Sequence, residues 1–195
     1  MATKPVKPKP PEGTLCAIKL PCCRCLDGTA TEFTIDTGVA PWRVTPPGYG
    51  YQLAAAPIPL LPGAWTTLLA PAVWIGAPGA PETVGVYEFE LQFYVPDCII
   101  PAEIFVTGQA AADNMADIFI DANGLTPFVP TYTSATSFTG QVSGSGIHRL
   151  RFFVTNEGGP TGLVVRGTIL VRCPRELEHG PKGPATATGG AIEQA

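Results

Sequence analysis

The chain has 195 residues, 45% hydrophobic and 14% charged, with a net charge of −4 and 22 each of glycine and proline. That length suits one domain of roughly 150 residues with tails, and that balance suits a turn-rich folded surface rather than disorder. All lysines but Lys182 fall at or before Lys19, which leaves no basic patch for nucleic acid, and no apolar run of about 18 residues exists to span a membrane.

Residues 1–15 alternate lysine and proline, the composition of a solvated polyproline II arm. No apolar run follows these charges, so export is expected without a recognisable signal peptide. The arm is expected over 1–25, a folded domain over 26–173 and a second tail, rich in Gly, Pro, Ala and Thr, over 174–195. Within the domain, "TEFTID" predicts a strand with Phe33 and Ile35 inward. The proline-dense stretch 46–81 allows only short or edge strands and predicts a long covering loop. "VGVYEFELQFYV" places Tyr87, Phe89, Leu91, Phe93 and Val95 on one face and Glu88, Glu90 and Gln92 on a solvated one. "AEIFVTG", "ADIFIDANG" (Ile118 and Ile120 inward) and "HRLRFFVTN" (Leu150, Phe152 and Val154 inward) continue the pattern. "GLVVRGTILVRC" ends it, with Leu163, Val165, Ile169 and Val171 inward. Turns rich in Gly, Asn and Pro separate these segments, and no helical period survives between them. The expectation is an all-β antiparallel sandwich or jelly roll.

Catalytic signatures are missing: there is no G-x-S-x-G elbow, no phosphate-binding loop and no H-E-x-x-H. His148 at a strand start reads as a surface or capping residue, and His179 falls in the tail. The paired carboxylates Glu88 and Glu90 read as a solvated strand face. No enzyme is expected.

"LPCCRCLDG" gathers three of the six cysteines within four positions. The spacing Cys16-x5-Cys22-Cys23-x-Cys25 lacks the paired knuckles of a zinc site, and Cys22-Cys23-Arg24-Cys25 has no helix behind it for redox chemistry. Disulfides lead, with internal and inter-chain pairing both open. Cys25 and Cys173 bound the domain and are candidates for an internal staple. Cys98 and Cys173 stand at opposite ends if the strand ending at Val95 runs antiparallel to the last one. Cys16, Cys22 and Cys23, on or beside the arm, are placed to reach a neighbouring subunit.

Several segments taken in order carry a likeness: "DTGVAPWRV", "AVWIG", "YEFELQFYVP", "VTGQAAADNMADIFIDANG", "TSFTG" and "IHRLRFFVTNEGGPTGLVVRG". The stretch from about Leu26 to Cys173 resembles a bacterial family of extracellular galactose-binding-like β-sandwich modules. The fourth segment looks like the family's G-x-A-A-D-N-x-x-x-x-I-x-x-N-G hairpin, and the last is close to its N-x-L-x-F-x-V-x-N-x-G-G-P-x-G-L ending. In "ANG", Gly124 is expected to take positive φ at the turn. Trp42 and Trp74 are candidates for core packing or for sugar stacking, with Asn156 as a further ligand candidate. Asp113 and Asn114 have oxygens suited to calcium, with Asp117 and Asp121 to assist; the bland reading is that they hydrogen-bond their own turn.

The resemblance implies attachment or recognition at an extracellular, cell or particle surface, with carbohydrate as the first-choice ligand and no cofactor other than calcium. The alternative is a structural subunit of a fibre or coat, a homo-oligomer joined by strand edges and by disulfides through the N-terminal arm.

Overall fold

The computed structural model describes residues 18–19, 30–59, 61–79, 82–96, 102–125 and 131–172. These residues form thirteen strands and no helix: β1 (Ile18–Lys19), β2 (Ala30–Thr34), β3 (Arg43–Thr45), β4 (Leu53–Ala54), β5 (Ala56–Pro57), β6 (Ile75–Gly76), β7 (Gly85–Val95), β8 (Glu103–Asp113), β9 (Met115–Ile120), β10 (Asn123–Gly124), β11 (Thr136–Ser143), β12 (Gly146–Asn156) and β13 (Gly162–Arg172). No helix among them is long and apolar enough to cross a membrane. The fold is the expected all-β sandwich of two mainly antiparallel sheets. One runs β10-β9-β12-β7-β3-β4 with β1 beside β7; the other runs β11-β8-β13-β6-β5 with β2 beside β13. Among the described residues only the short β1–β7 pairing is parallel.

Period-2 alternation builds the interior. Phe89, Leu91 and Phe93 of β7, Leu150, Phe152 and Val154 of β12, and Ile104 and Val106 of β8 are all fully buried. So are Leu163, Val165 and Ile169 of β13, and together these side chains form one continuous core. Each large apolar side chain placed there contributes about 1.5–3 kcal/mol relative to exposure.

The strand directions define two ends. At the upper end β7, β9 and β13 begin and β8 and β12 finish, knitted by Asn114 N–H donating to the Thr155 carbonyl at 2.9 Å. At the lower end Val95 pairs with Gly146, Gly144 N–H donates to the Ala102 carbonyl at 3.1 Å, and Arg172 pairs with both Glu103 and Ala30. The strands ending at Val95 and Arg172 therefore run the same way, so the condition that would separate Cys98 from Cys173 does not hold. All six cysteines lie outside the described residues.

The outer faces depart from the simple alternation. Ala110, Ala111 and Ala112 of β8 are all fully buried, because the proline-rich strap 58–74 covers the second sheet with its own cluster. Trp65 and Trp74 of the strap pack there on Ala111 and Val164. On the first sheet Glu90, expected in solvent, is only 3% exposed. Its Oε1 accepts Gln52 Nε2 at 2.9 Å and Gln92 Nε2 at 2.6 Å, so the hairpin that joins β3 to β4 folds over it and replaces water with amide donors. His148 is likewise not at the surface. It is 6% exposed, stacks on Phe93 with ring centroids 5.3 Å apart, and its Nδ1 lies 2.9 Å from Asp121 Oδ2.

The positive φ of the β9–β10 hairpin falls at Asp121 (53°) and not at Gly124. With Ile120 paired to Asn123, Asp121 and Ala122 form the tip. The Asp121 carboxylate supports that strained backbone by accepting the Arg149 N–H at 2.8 Å.

Candidate functional site

The upper end is held by side chains of exactly the polar type that local turns need. Asn156, 1% exposed, donates from Nδ2 to the carbonyls of Thr83 (3.1 Å) and Gly159 (3.2 Å) and accepts Gly158 N–H at 2.9 Å. One amide thus shapes the 157–161 turn and ties it to the segment before β7. Thr83 N–H in turn donates to the Tyr87 hydroxyl at 3.0 Å, and Glu157 N–H donates to Asn114 Oδ1 at 2.8 Å. The sequence candidates Asn114 and Asn156 are therefore framework residues here.

What they frame is a cleft of about 320 Å³, at the lower end of the usual range for ligand sites. Pro57, Ile58, Pro78 and Pro160 form apolar walls, and Tyr87 lies at the floor; Glu82 and Thr161 supply polar groups. Fixed proline φ angles pre-set much of that wall. Gly76 lets the wall close in, since a β-carbon there would stand 3.2 Å from Ile58 Cδ1 and 3.3 Å from the Thr161 carbonyl oxygen. The Thr161 Oγ1 is buried and has no hydrogen-bond partner among the described residues. A hydroxyl can both donate and accept, and leaving one unmatched costs about 1–3 kcal/mol.

Behind the cleft stands Asp113, 5% exposed. Its Oδ2 accepts the Trp65 indole N–H at 2.8 Å, while Oδ1 has no partner among the described residues. Burial raises this carboxyl above its ordinary value, and the Trp65 N–H draws it part of the way back. Trp65 stacks on Trp74 with centroids 4.3 Å apart.

Both tryptophans named from the sequence are interior. Trp42 (3% exposed) donates its N–H to the Ile35 carbonyl and packs edge-on against Phe152. Trp74 (2% exposed) donates to the Thr67 carbonyl. Neither ring has a face open for a sugar. The four oxygen candidates for calcium do not converge. Asp113 and Asn114 sit at the upper end, Asp117 is exposed on β9, and Asp121 lies beyond the far end of that six-residue strand, about 20 Å along it. Asp121 also has both carboxylate oxygens committed, to His148 and to Arg149 N–H. No group of three or more His, Cys, Asp or Glu side chains suited to a metal occurs among the described residues.

Sequence reading missed Trp65, Tyr87 as a floor residue, Thr161 and the four wall residues. The density of proline between 46 and 81 was the available signal, but it marks a rigid loop without saying which prolines meet in space.

No family model matches the sequence, and no curated protein matches it. Several solved structures are similar in part. The CBM36-1 domain of a multidomain xylanase from the hindgut metagenome of Trinervitermes trinervoides superposes with a TM-score of 0.39 at 14% identity, covering 72% of this chain and 96% of that one. CBM35 from Cellvibrio japonicus Abf62 gives 0.40 at 11% identity, with 72% and 92% covered. A carbohydrate-binding module CBM36 in complex with calcium and xylotriose gives 0.37 at 14%, with 70% and 97% covered. At these identities and scores neither a ligand nor an activity carries over from them to this chain.

Proposed function

We propose that this chain is a non-catalytic binding module that holds carbohydrate in the upper-end cleft and acts at an extracellular, cell or particle surface. The observation that carries the reading is the combination of pre-set apolar walls with an exposed carboxylate, Glu82, in one cleft. A pyranose has the matching chemistry. Its C–H face needs a rigid apolar surface such as Pro57, Pro78 and Pro160, and its hydroxyls need a fixed polar partner, here the exposed Glu82 carboxylate. Because the acidic candidates are dispersed, calcium has no part in this reading.

Affinity electrophoresis through gels containing soluble polysaccharides tests it, followed by calorimetry with oligosaccharides of any polymer that retards the protein. Retardation should persist in chelator, and Glu82→Gln should weaken binding by about tenfold, the worth of one good hydrogen bond. Unchanged mobility in every polymer, or full affinity in Glu82→Gln, would refute the cleft as a sugar site.

A further inference from the structure

The strap 58–74 has one side-chain fastening to the end of β8, and that fastening is a buried acid. Trp65 N–H donates to Asp113 Oδ2 at 2.8 Å, and the edge of the same indole lies over Gly162, the register partner of Asp113. Ile58 shares that seat: a β-carbon on Gly162 would meet Trp65 Cη2 at 2.7 Å and Ile58 Cδ1 at 2.9 Å. Ile58 is also a wall of the cleft. Any displacement of Trp65 from Gly162 is therefore felt at the cleft through Ile58.

The chemistry of the fastening depends on a proton. An ionised carboxylate offers acceptor sites on two oxygens and is stable in a buried place only when several donors meet it. Asp113 has one donor, on Oδ2, and Oδ1 has none among the described residues. The neutral acid brings no charge into this buried place and suits the surroundings better. Among the described residues no compensating cation pairs with it. The strap has no ionisable residue between 58 and 74, and β13 has none before Arg166. The turn after β12 adds Glu157, which is another anion. The neighbouring Thr161 hydroxyl, one residue from Gly162, is itself without a partner.

We infer that Asp113 and Trp65 form a proton-controlled fastening of the cleft wall: the neutral acid is tolerated beneath the strap seated on Gly162, whereas ionisation leaves a charge with a single donor in a buried place and so favours lifting of the strap, with Trp65 and Ile58, towards water. The raised carboxyl places this change above the ordinary carboxylate range. The fastening rests on the burial of Asp113 and its single donor; its consequence, sugar affinity that falls as pH rises, rests on the cleft reading above.

Tryptophan emission and acrylamide quenching of the full chain, titrated from acid to neutral pH, test the fastening without any ligand. The wild type should show one sigmoidal rise in quenching centred above the ordinary carboxylate range. Asp113→Asn should abolish it and Glu157→Gln should leave it in place. A flat wild-type curve, or a sigmoid kept in Asp113→Asn, would overturn the proposal. Should Asp113→Asn not fold, the side-chain carboxyl carbon shift of Asp113 in the wild type gives the answer, and a midpoint at the ordinary value overturns it. Calorimetry with a retarding oligosaccharide over the same pH range separates the two claims. Sugar affinity constant across the sigmoid refutes the link to the cleft, whereas no sugar binding at any pH refutes only the cleft reading and leaves the fluorescence result to decide the fastening.

Discussion

Gly162 lies directly beneath Trp65, so close that a β-carbon on the glycine would stand 2.7 Å from the ring's Cη2. Non-bonded carbons settle near 3.5–4.0 Å, and the ring is held from behind by Trp74. Gly162→Ala is therefore expected to lift the indole, break its bond to Asp113 and cost about 1–3 kcal/mol, the range for overpacking a formed core. Urea unfolding measures the loss, and a red-shifted tryptophan emission in the folded baseline shows that the strap has lifted. A variant as stable as wild type with unchanged emission would mean that the strap adjusts without leaving its seat.

Asn156 has a different vulnerability. Its amide serves two carbonyls and one N–H at once, and nothing smaller reaches all three. Asn156→Ala should cost about 2–3 kcal/mol from the groups left unmet, and Asn156→Asp should cost more, because a carboxylate would face the Thr83 and Gly159 carbonyls that the amide now bonds. Thermal melts of the two variants check the order. In both, the 157–161 turn loses its form, and with it the Pro160 and Thr161 side of the cleft.

How much of this was legible beforehand varies with the range of the interaction. The long strands were readable because a sheet with one buried face writes its alternation into the chain, as Phe89, Leu91 and Phe93 show. The framework role of Asn156 was also within reach, since Asn two positions ahead of a glycine is a local turn pattern. Glu90 and His148 were misread for one shared reason. Alternation says which face of a strand a residue is on, but not that a hairpin carrying Gln52 will fold over the outer face, or that an inward histidine will find Asp121 across a turn. Trp65 lay further out of reach, because its partner Asp113 is 48 positions away and no local period connects them.

The raised carboxyl of Asp113 has a signed effect on stability. Where the folded-state value lies above the unfolded one, the folded chain holds the extra proton between the two. Stability is then complete below the unfolded value and is lost as pH rises through the folded one. Measured by urea unfolding at a series of pH values, the wild type should weaken over that window relative to Asp113→Asn, which lacks the group. Parallel curves for the two proteins would show that Asp113 titrates alike in both states.

The last expectation concerns the cysteines, which lie beyond the described residues but whose neighbours do not. Arg172, immediately before Cys173, pairs with Glu103 and with Ala30 at the lower end. Val95, three positions before Cys98, ends at the same side of the sandwich. Three extended residues reach only about 10 Å, and a disulfide needs α-carbons roughly 4.4–6.8 Å apart, a span that chain leaving Val95, Arg172 and Ala30 at one end of the sandwich can close. We predict that one bridge among Cys25, Cys98 and Cys173 forms within a chain, which leaves an odd cysteine and the arm's Cys16, Cys22 and Cys23 to pair otherwise. Peptide mapping of alkylated, unreduced protein identifies the bridge. A denaturing gel with and without reductant then separates the roles: the internal bridge leaves the chain a monomer in both lanes, while multimers that collapse on reduction arise from the remaining cysteines. A map in which Cys25, Cys98 and Cys173 pair with none of one another would refute the prediction.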